Sequence, residues 1–300
     1  HNQMHDFQLF LVNLLYRAPH VHKDFEICLI LDGEISLRSS GQTYYATKHS
    51  FFMLNPFQPH ELKADSPTLI LSIQVAPSFF SNVFPQIQSI QLSTQIHSVS
   101  DSEACRQMFS MFLKLADSYL KKQDAYELLC TGIINAIFYQ FLQINAYHII
   151  SDTARRTYQL QQQRIRQISD YIDRHYSQKL LLSDIAEKLG LNLYYLSHFF
   201  KENFGLSFQD YLARIRSEKA RQLLLLTDQS LLDICMSAGF SDPKYFNCSF
   251  RKQYGSTPKE YRRQFKHAPL PNQQISMLTT QEFLSEEASL VLLSNYMLHY

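Results

Sequence analysis

Between Phe25 and Ile73 the apolar residues fall into short runs broken by polar or turn residues: Phe25–Leu31, Glu34–Arg38, Thr43–Tyr45, Phe51–Leu54 and Leu69–Ile73. Short runs at roughly 8 to 12-residue spacing predict the strands of a small barrel or sandwich, and Asp32-Gly33 between two of them predicts a hairpin turn. From Asp101 the period changes. Cys105, Met108, Phe109, Phe112, Leu115, Ala116 and Tyr119 recur at three and four, and Ala125–Ile144 predicts a second helix of the same kind. Two amphipathic helices need a surface to cover, either the barrel or the same helices of a second subunit. Arg155 to Arg164 is polar, without Pro or Gly, and reads as a linker that is flexible or begins a helix. Ile165–Phe265 is helical by period, with turns at Gly190, Gly205, Gly239 and Gly255.

The predicted organisation is a barrel over 1–100, a helical packing or dimerisation segment over 101–154, a linker over 155–164, a helical domain over 165–267 and a tail over 268–300. The tail holds Pro269-Leu-Pro271 and an apolar stretch, Leu290–Leu293, and the sequence does not reveal its role.

Composition narrows the class. A hydrophobic share of 45% with seven Gly in 300 residues excludes disorder and collagen-like architecture, and five scattered cysteines exclude a disulfide-stapled mini-fold and favour a reducing compartment. The richest apolar stretch, Leu128–Ile150, is interrupted by Asn135, Gln140, Gln143 and Asn145, so no membrane span of about 18 uncharged residues is expected. With no basic-then-apolar leader in the sequence, the expected location is the cytoplasm.

Net charge +1 conceals an uneven distribution. Residues 155–267 hold 19 Lys+Arg against 11 Asp+Glu, net +8, between flanks of net −4 and net −3. A basic block between acidic flanks suits a module that meets a polyanion, nucleic acid first.

Within that block the chain repeats itself. Asp184-Ile-Ala186 and Gly190 recur 49 residues later as Asp233-Ile-Cys235 and Gly239; Leu196, Phe200, Gly205 and Tyr211 recur 50 residues later as Phe246, Phe250, Gly255 and Tyr261. Each copy has a small residue where a second helix crosses, then a Gly able to take positive φ, then a large apolar residue that locks the pair. That spacing predicts two helix-turn-helix units, with Asn192 and Asp242 as candidate N-caps. Ser207–Leu226 reads as one helix joining them, with Arg214, Arg216, Lys219 and Arg221 among its polar positions. Its length of roughly 27 to 30 Å approaches the ~34 Å between successive major-groove turns on one duplex face.

The segments Gly239–Phe246, Phe250-Arg-Lys252, Tyr254-Gly255, Thr257-Pro258 and Tyr261-Arg262, with Leu196–Gly205, Tyr211-Leu212, Arg216 and Ala220, strongly resemble the DNA-binding domain of the AraC family of transcription regulators. The resemblance covers residues 165–265. It implies an α+β multidomain protein: an N-terminal cupin-like β-barrel followed by helices, and a C-terminal all-α tandem helix-turn-helix domain. It also implies double-stranded DNA with two half-sites one helical turn apart as partner, with a small-molecule effector, a sugar by family analogy. A homodimer is the implied assembly and RNA polymerase a partner of an activator. By motif position the base-contacting residues would be Tyr194, Ser197 and His198 in the first unit and Lys244, Asn247 and Cys248 in the second. Lys244 can donate to guanine and Asn247 can pair with adenine, whereas Lys201 and Arg251, one turn later, suit phosphates. Each also has a plainer reading as solvated helix surface.

His20-Val-His22-x3-Glu26, followed by Gly33, resembles the first cupin motif, with His60 as a possible fourth member. The corresponding second motif, Asn55–His60, lacks its glycine. On a strand the even-numbered positions share one face, so His20, His22 and Glu26 would project into the barrel. The first reading is an effector pocket in which His20, His22, Glu26, Arg38, Tyr44 and His60 supply polar contacts, with no metal and no cofactor. The alternative is a divalent transition metal held by His20, His22, Glu26 and His60, as in a metal-dependent cupin enzyme fused to a DNA-binding domain. The sequence has no Gly-rich phosphate loop, His-Glu-x-x-His, Cys-x-x-Cys or Gly-x-Ser-x-Gly, so no enzyme is expected.

Overall fold

Strand β6 (His60–Val75) is the spine of the N-terminal unit in the computed structural model, which describes residues 6–266 and 281–298. Strand β1 (Phe7–His20) runs antiparallel along one edge of β6. The other edge is shared between β2 (Phe25–Asp32), which pairs with Leu69–Val75, and β3 (Glu34–Ser39), which pairs with residues 60–63. This sharing corrects the expected hairpin: Asp32-Gly33 carries the chain from one part of β6 to another. Gly33 sits at φ +87, and a Cβ there would lie 2.5 Å from Thr68 Oγ1, so a side chain would block the crossing. The true hairpin follows one strand later, where β3 pairs with β4 (Gln42–Thr47) through Ser40-Gly41, both at positive φ as a two-residue type I′ turn requires.

With β5 (Ser50–Leu54), β8 (His97–Ser98) and β10 (Gln281–Phe283), the main sheet runs β10-β1-β6-β2-β5-β8, β3 and β4 branch from β6, and β7 (Ile90–Leu92) pairs with β9 (Tyr147–Ile149) as a separate two-stranded sheet. The main sheet is a curled antiparallel sheet, a half-barrel, in keeping with the cupin-like barrel expected for this half. Strand β1 escaped the sequence reading because its period-2 pattern is broken by two bulges, between Leu14 and Tyr16 and between Arg17 and His20.

Alternate residues of β2 divide two cores. Phe25, Ile27 and Leu29 join Leu71 and Ile73 beneath helices α1 (Glu103–Lys121) and α2 (Tyr126–Ile144), while Cys28 and Ile30 meet Val12, Leu37, Phe52 and Leu62 inside the curl. The two helices thus cover the sheet, one of the two roles the sequence left open. Helix α2 is apolar enough, by length and composition, to cross a membrane, contrary to the expectation of no such run. Here Cys130, Ile133, Ile134, Ile137, Phe138 and Phe141 are buried against the sheet core. Much of the tail belongs to this unit too: β10 pairs with β1, and α10 (Glu286–Leu298) buries Leu293 in the same core. Residues 268–280, 299 and 300 of the predicted tail lie outside the described residues.

The proposed linker is helical. Residues 155–164 form part of α3 (Asp152–His175), whose later turns bury Ile165, Ile168 and Ile172 in the C-terminal unit. That unit continues with α4 (Leu182–Leu189), α5 (Leu193–Phe204), α6 (Phe208–Leu226), α7 (Leu231–Ser237), α8 (Pro243–Tyr254) and α9 (Pro258–Lys266). Both predicted N-caps form: Asn192 accepts from the Tyr194 and Tyr195 amides, and Asp242 from Lys244. The repeat gives each helix-turn-helix its own core, around Ala186, Leu196 and Phe200 in the first and Cys235, Phe246 and Phe250 in the second.

The turn glycines differ in their surroundings. Gly239 lies at φ +90 where a Cβ would come 2.3 Å from the Tyr176 carbonyl oxygen, whereas at Gly190, φ +64, a Cβ would meet open space. Gly239→Ala is therefore expected to destabilise the C-terminal unit by about 2–3 kcal/mol through strain and a backbone clash. Gly190→Ala should cost only the left-handed penalty, about 1 kcal/mol. Urea unfolding of the two variants measures the difference; equal losses would contradict the packing described for Gly239.

Candidate nucleic-acid interface and polar cluster

The second helix of each repeat presents one face inward and one outward. In α5, Leu196, Phe199 and Phe200 are buried, while Tyr194, Ser197, His198 and Lys201 are exposed; in α8, Phe246 and Phe250 are buried, while Lys244, Asn247, Cys248 and Arg251 are exposed. All eight residues singled out for DNA contact thus stand on exposed helix surface. Tyr194 rests against His198 at 4.5 Å between ring centroids, and the Asn247 amide donates one N–H back to the Pro243 carbonyl at 2.8 Å, which leaves its second N–H and its Oδ1 available. Cys248 also lines a cleft of about 240 Å³ between α8 and the N-terminal unit, so one flank of α8 faces the sheet.

Other basic residues of this unit turn toward protein. Arg221, grouped in the sequence with the polar positions of α6, is 1% exposed and bonds to Glu218 at 3.1 and 3.2 Å. Arg216 donates to the Tyr176 and Gln178 carbonyls at 2.7 and 2.8 Å. The sequence placed these side chains by helical period alone, and period does not show what lies across a helix from another element.

The structure brings His20, His22, Glu26 and His60 together, with potential ligand atoms all within 4.8 Å of one another. They come from three strands and a turn instead of one strand face: His20 ends β1, His22 lies in the turn, Glu26 is on β2, and His60 opens β6 opposite His20. Each imidazole is oriented by a backbone carbonyl at its Nδ1: His20 by Ala18 at 2.9 Å, His22 by Asp24 at 2.8 Å and His60 by Gln58 at 2.9 Å. Glu26 Oε1 accepts from Ser72 Oγ at 2.7 Å and from Gln74 Nε2 at 3.4 Å, while Oε2 lies 2.9 Å from His22 Nε2 and 3.2 Å from His60 Nε2. Burial alone would raise the Glu26 carboxyl, yet His22 and His60 outweigh it and hold the group well below the usual carboxylate range. Burial pushes His20 well below the usual imidazole value and His60 below it.

Arg38 and Tyr44, expected in the same pocket, stand apart from this cluster. Arg38 faces the other way on β3 and donates to the Gly205 carbonyl at 3.1 Å. Tyr44 bonds to Gln42 at 2.6 Å and lines a groove of about 660 Å³ with the Asn55–Pro59 loop and α3.

A seam between the two units went unread in the sequence. Tyr16 donates to Glu61 Oε1 at 2.6 Å, and Arg214 of α6 pairs with Glu61 Oε2. The Tyr16 ring meets the edge of Tyr254, 5.9 Å between centroids, whose hydroxyl donates to Glu218 at 2.5 Å. Burial first, then the neighbouring carboxylates, pushes both tyrosine hydroxyls well up. Nothing in local sequence announces partners 153 residues apart.

Residues 13–142 match the AraC-like ligand binding domain, and residues 185–264 match a helix-turn-helix domain. An HTH-type transcriptional regulator of Staphylococcus aureus is 22% identical over 238 residues, which make up 79% of this chain and 31% of that protein. The regulatory protein PocR of Salmonella typhimurium is 40% identical over 101 residues, 34% of this chain and 33% of that protein. This chain spans about a third of the length of these curated relatives. Among solved structures, the C-terminal domain of the two-component response regulator YesN from Fusobacterium nucleatum is 46% identical with a TM-score of 0.31, covering 32% of this chain and 93% of that one. ToxT of Vibrio cholerae is 16% identical with a TM-score of 0.46, covering 88% and 99%.

Arg214→Ala would leave the Glu61 carboxylate, whose side chain is 8% exposed, without its cationic partner. The contact between the units is expected to weaken by about 1.5–3 kcal/mol, the range for hydrogen bonds to charged groups. Amide exchange at residues 60–64 and 210–218 should speed up accordingly; unchanged protection would show that Glu61–Arg214 does not hold the seam.

Proposed function

Because the chain belongs to the AraC family of transcription regulators, we propose that α5 and α8 read two short blocks of one DNA duplex and that the N-terminal unit, by holding a small effector, biases DNA binding. The observation that carries this reading is the pair of exposed, N-capped second helices joined by α6. Its 19 residues span about 28 Å, close to the ~34 Å between successive major-groove faces. The net charge of +8 over residues 155–267 supports a polyanionic partner.

Lys244 and Asn247 are assigned to bases, with Tyr194, Ser197, His198 and Cys248 as further groups on the two reading faces; Lys201 and Arg251 are assigned to phosphates. An effector acts only through differential affinity for DNA-competent and incompetent arrangements, and the Glu61–Arg214 seam is the element it would have to bias. The sugar suggested by analogy is not carried into this reading: inside the curl, apolar side chains around Cys28, Ile30 and Leu62 adjoin the His/Glu cluster with its partners Ser72 and Gln74. Leu128, Leu129 and Tyr139 leave an exposed apolar strip on α2, where we place the contact of a homodimer. The reading is of a cytoplasmic regulator that works with RNA polymerase and assigns no catalysis.

Lys244→Ala and Asn247→Ala are each expected to lose about 1–3 kcal/mol of discrimination at a few base positions. Lys201→Ala and Arg251→Ala should weaken binding to all sequences alike and lower the salt slope by about one each. Binding to a randomised duplex pool at several salt concentrations separates the two behaviours; unchanged base preference in both α8 variants would refute the base assignments.

A further inference from the structure

We infer that His20, His22, Glu26 and His60 form a binding site for one first-row divalent transition-metal ion such as Zn2+, Fe2+ or Mn2+. A backbone carbonyl only accepts, so the Nδ1 of each of the three imidazoles carries hydrogen, and the neutral ring then presents a bare lone pair at Nε2. At His22 and His60 that lone pair faces Glu26 Oε2, at 2.9 and 3.2 Å, and a ring nitrogen of His20 lies within 4.8 Å of the other potential ligand atoms. Lone pair facing lone pair in a dry interior is unfavourable unless a cation lies among them. Among the described residues, His20 Nε2 is buried with no hydrogen-bond partner, His60 Nε2 has the Glu26 carboxylate at 3.2 Å as its neighbour, and the His60 and Glu26 side chains are 0% and 3% exposed.

The geometry suits a metal. With bonds of about 2.0–2.2 Å, neighbouring ligand atoms of a coordination shell lie about 3.0–3.4 Å apart, close to the 2.9 and 3.2 Å of the two His–Glu26 pairs within a set that spans no more than 4.8 Å. Outer partners are already in place: three carbonyls fix the imidazole tautomers, and Ser72 and Gln74 hold Glu26 Oε1, leaving Oε2 for the ion. Three imidazole nitrogens and one carboxylate oxygen select a first-row transition metal over calcium or magnesium.

The site also touches the C-terminal unit. Val21, between two of the ligands, packs against the first helix-turn-helix core, and the His22 carbonyl accepts from the Phe57 amide at 2.8 Å. An ion that fixes residues 20–22 would therefore fix Val21 against that core. This consequence, unlike the site itself, rests on the regulator reading above.

The chelator-treated full chain, without DNA, should take up about one equivalent of Zn2+ by titration calorimetry, and Co2+ in its place should show visible absorption bands of a coordinated ion. His22→Ala and Glu26→Gln should lower affinity at least ~100-fold with unchanged circular dichroism. Ser72→Ala, which removes no ligand, should lower it about 10 to 100-fold. A folded wild-type chain that takes up no metal would overturn the site and leave the cluster held by protons. Equal uptake by wild type and all three variants would overturn it too, by placing the ion on other histidines. Amide exchange over residues 165–212 should slow on adding Zn2+; uptake without that change would overturn the link to the C-terminal unit alone.

Discussion

The alternation of side chains along β6 fixes which groups can meet. His60, Leu62, Ser72 and Gln74 face the inside of the curled sheet, while Glu61 and Lys63 face the C-terminal unit. One strand therefore supplies His60 to the polar cluster and, one residue later, Glu61 to the seam. The two bulges of β1 give the matching arrangement on the neighbouring strand: Tyr16 is turned outward to bond to Glu61, and His20 is turned back in to lie opposite His60. A slip of one residue in this register would exchange the two sets and destroy both features at once.

Cluster and seam are thus consecutive positions of a rigid element. Arg38, also on the outward face, reaches the turn after α5, and the Ser40-Gly41 hairpin tip lies against Gly205. Helix α3 adds a second connection: Arg155 donates to Ser89 of the sheet unit at 2.5 Å, Gln161 bonds to Asn203, and Arg164 stacks over Tyr195 at 5.3 Å. A linker with that many partners transmits position more readily than a flexible tether, and a rearrangement of the cluster has short paths to the helix-turn-helix unit that holds α5. Packing between two discrete arrangements is the physical form such coupling takes.

The C-terminal unit was nearly all legible in the sequence, because its signals are local. Turn glycines, N-caps Asn192 and Asp242, and a repeat of 49 to 50 residues each act over a few residues, and the structure bears them out in place. The sheet was legible as strands but not as a topology. Asp32-Gly33 carries a hairpin signature, yet the long β6 strand offers both β2 and β3 a partner, and tertiary pairing overrides the turn preference. Glu61 with Arg214, the burial of Arg221, and the return of the tail through β10 and α10 were invisible because each depends on contacts across long stretches of chain. The His/Glu cluster was visible as spacing. That the four side chains converge, with every Nδ1 committed to a carbonyl, could only come from the fold.

Everything proposed for α5 and α8 depends on one chain meeting two adjacent major-groove faces. The most direct measurement is selection of bound fragments from sheared genomic DNA at about 150 mM salt, where nonspecific phosphate attraction is weakened, followed by footprinting of the recovered fragments. A shared motif of two short protected blocks about one helical turn apart, on one face of the duplex, is the predicted result. Fragments retained with no common motif, or a motif of one block only, would contradict it.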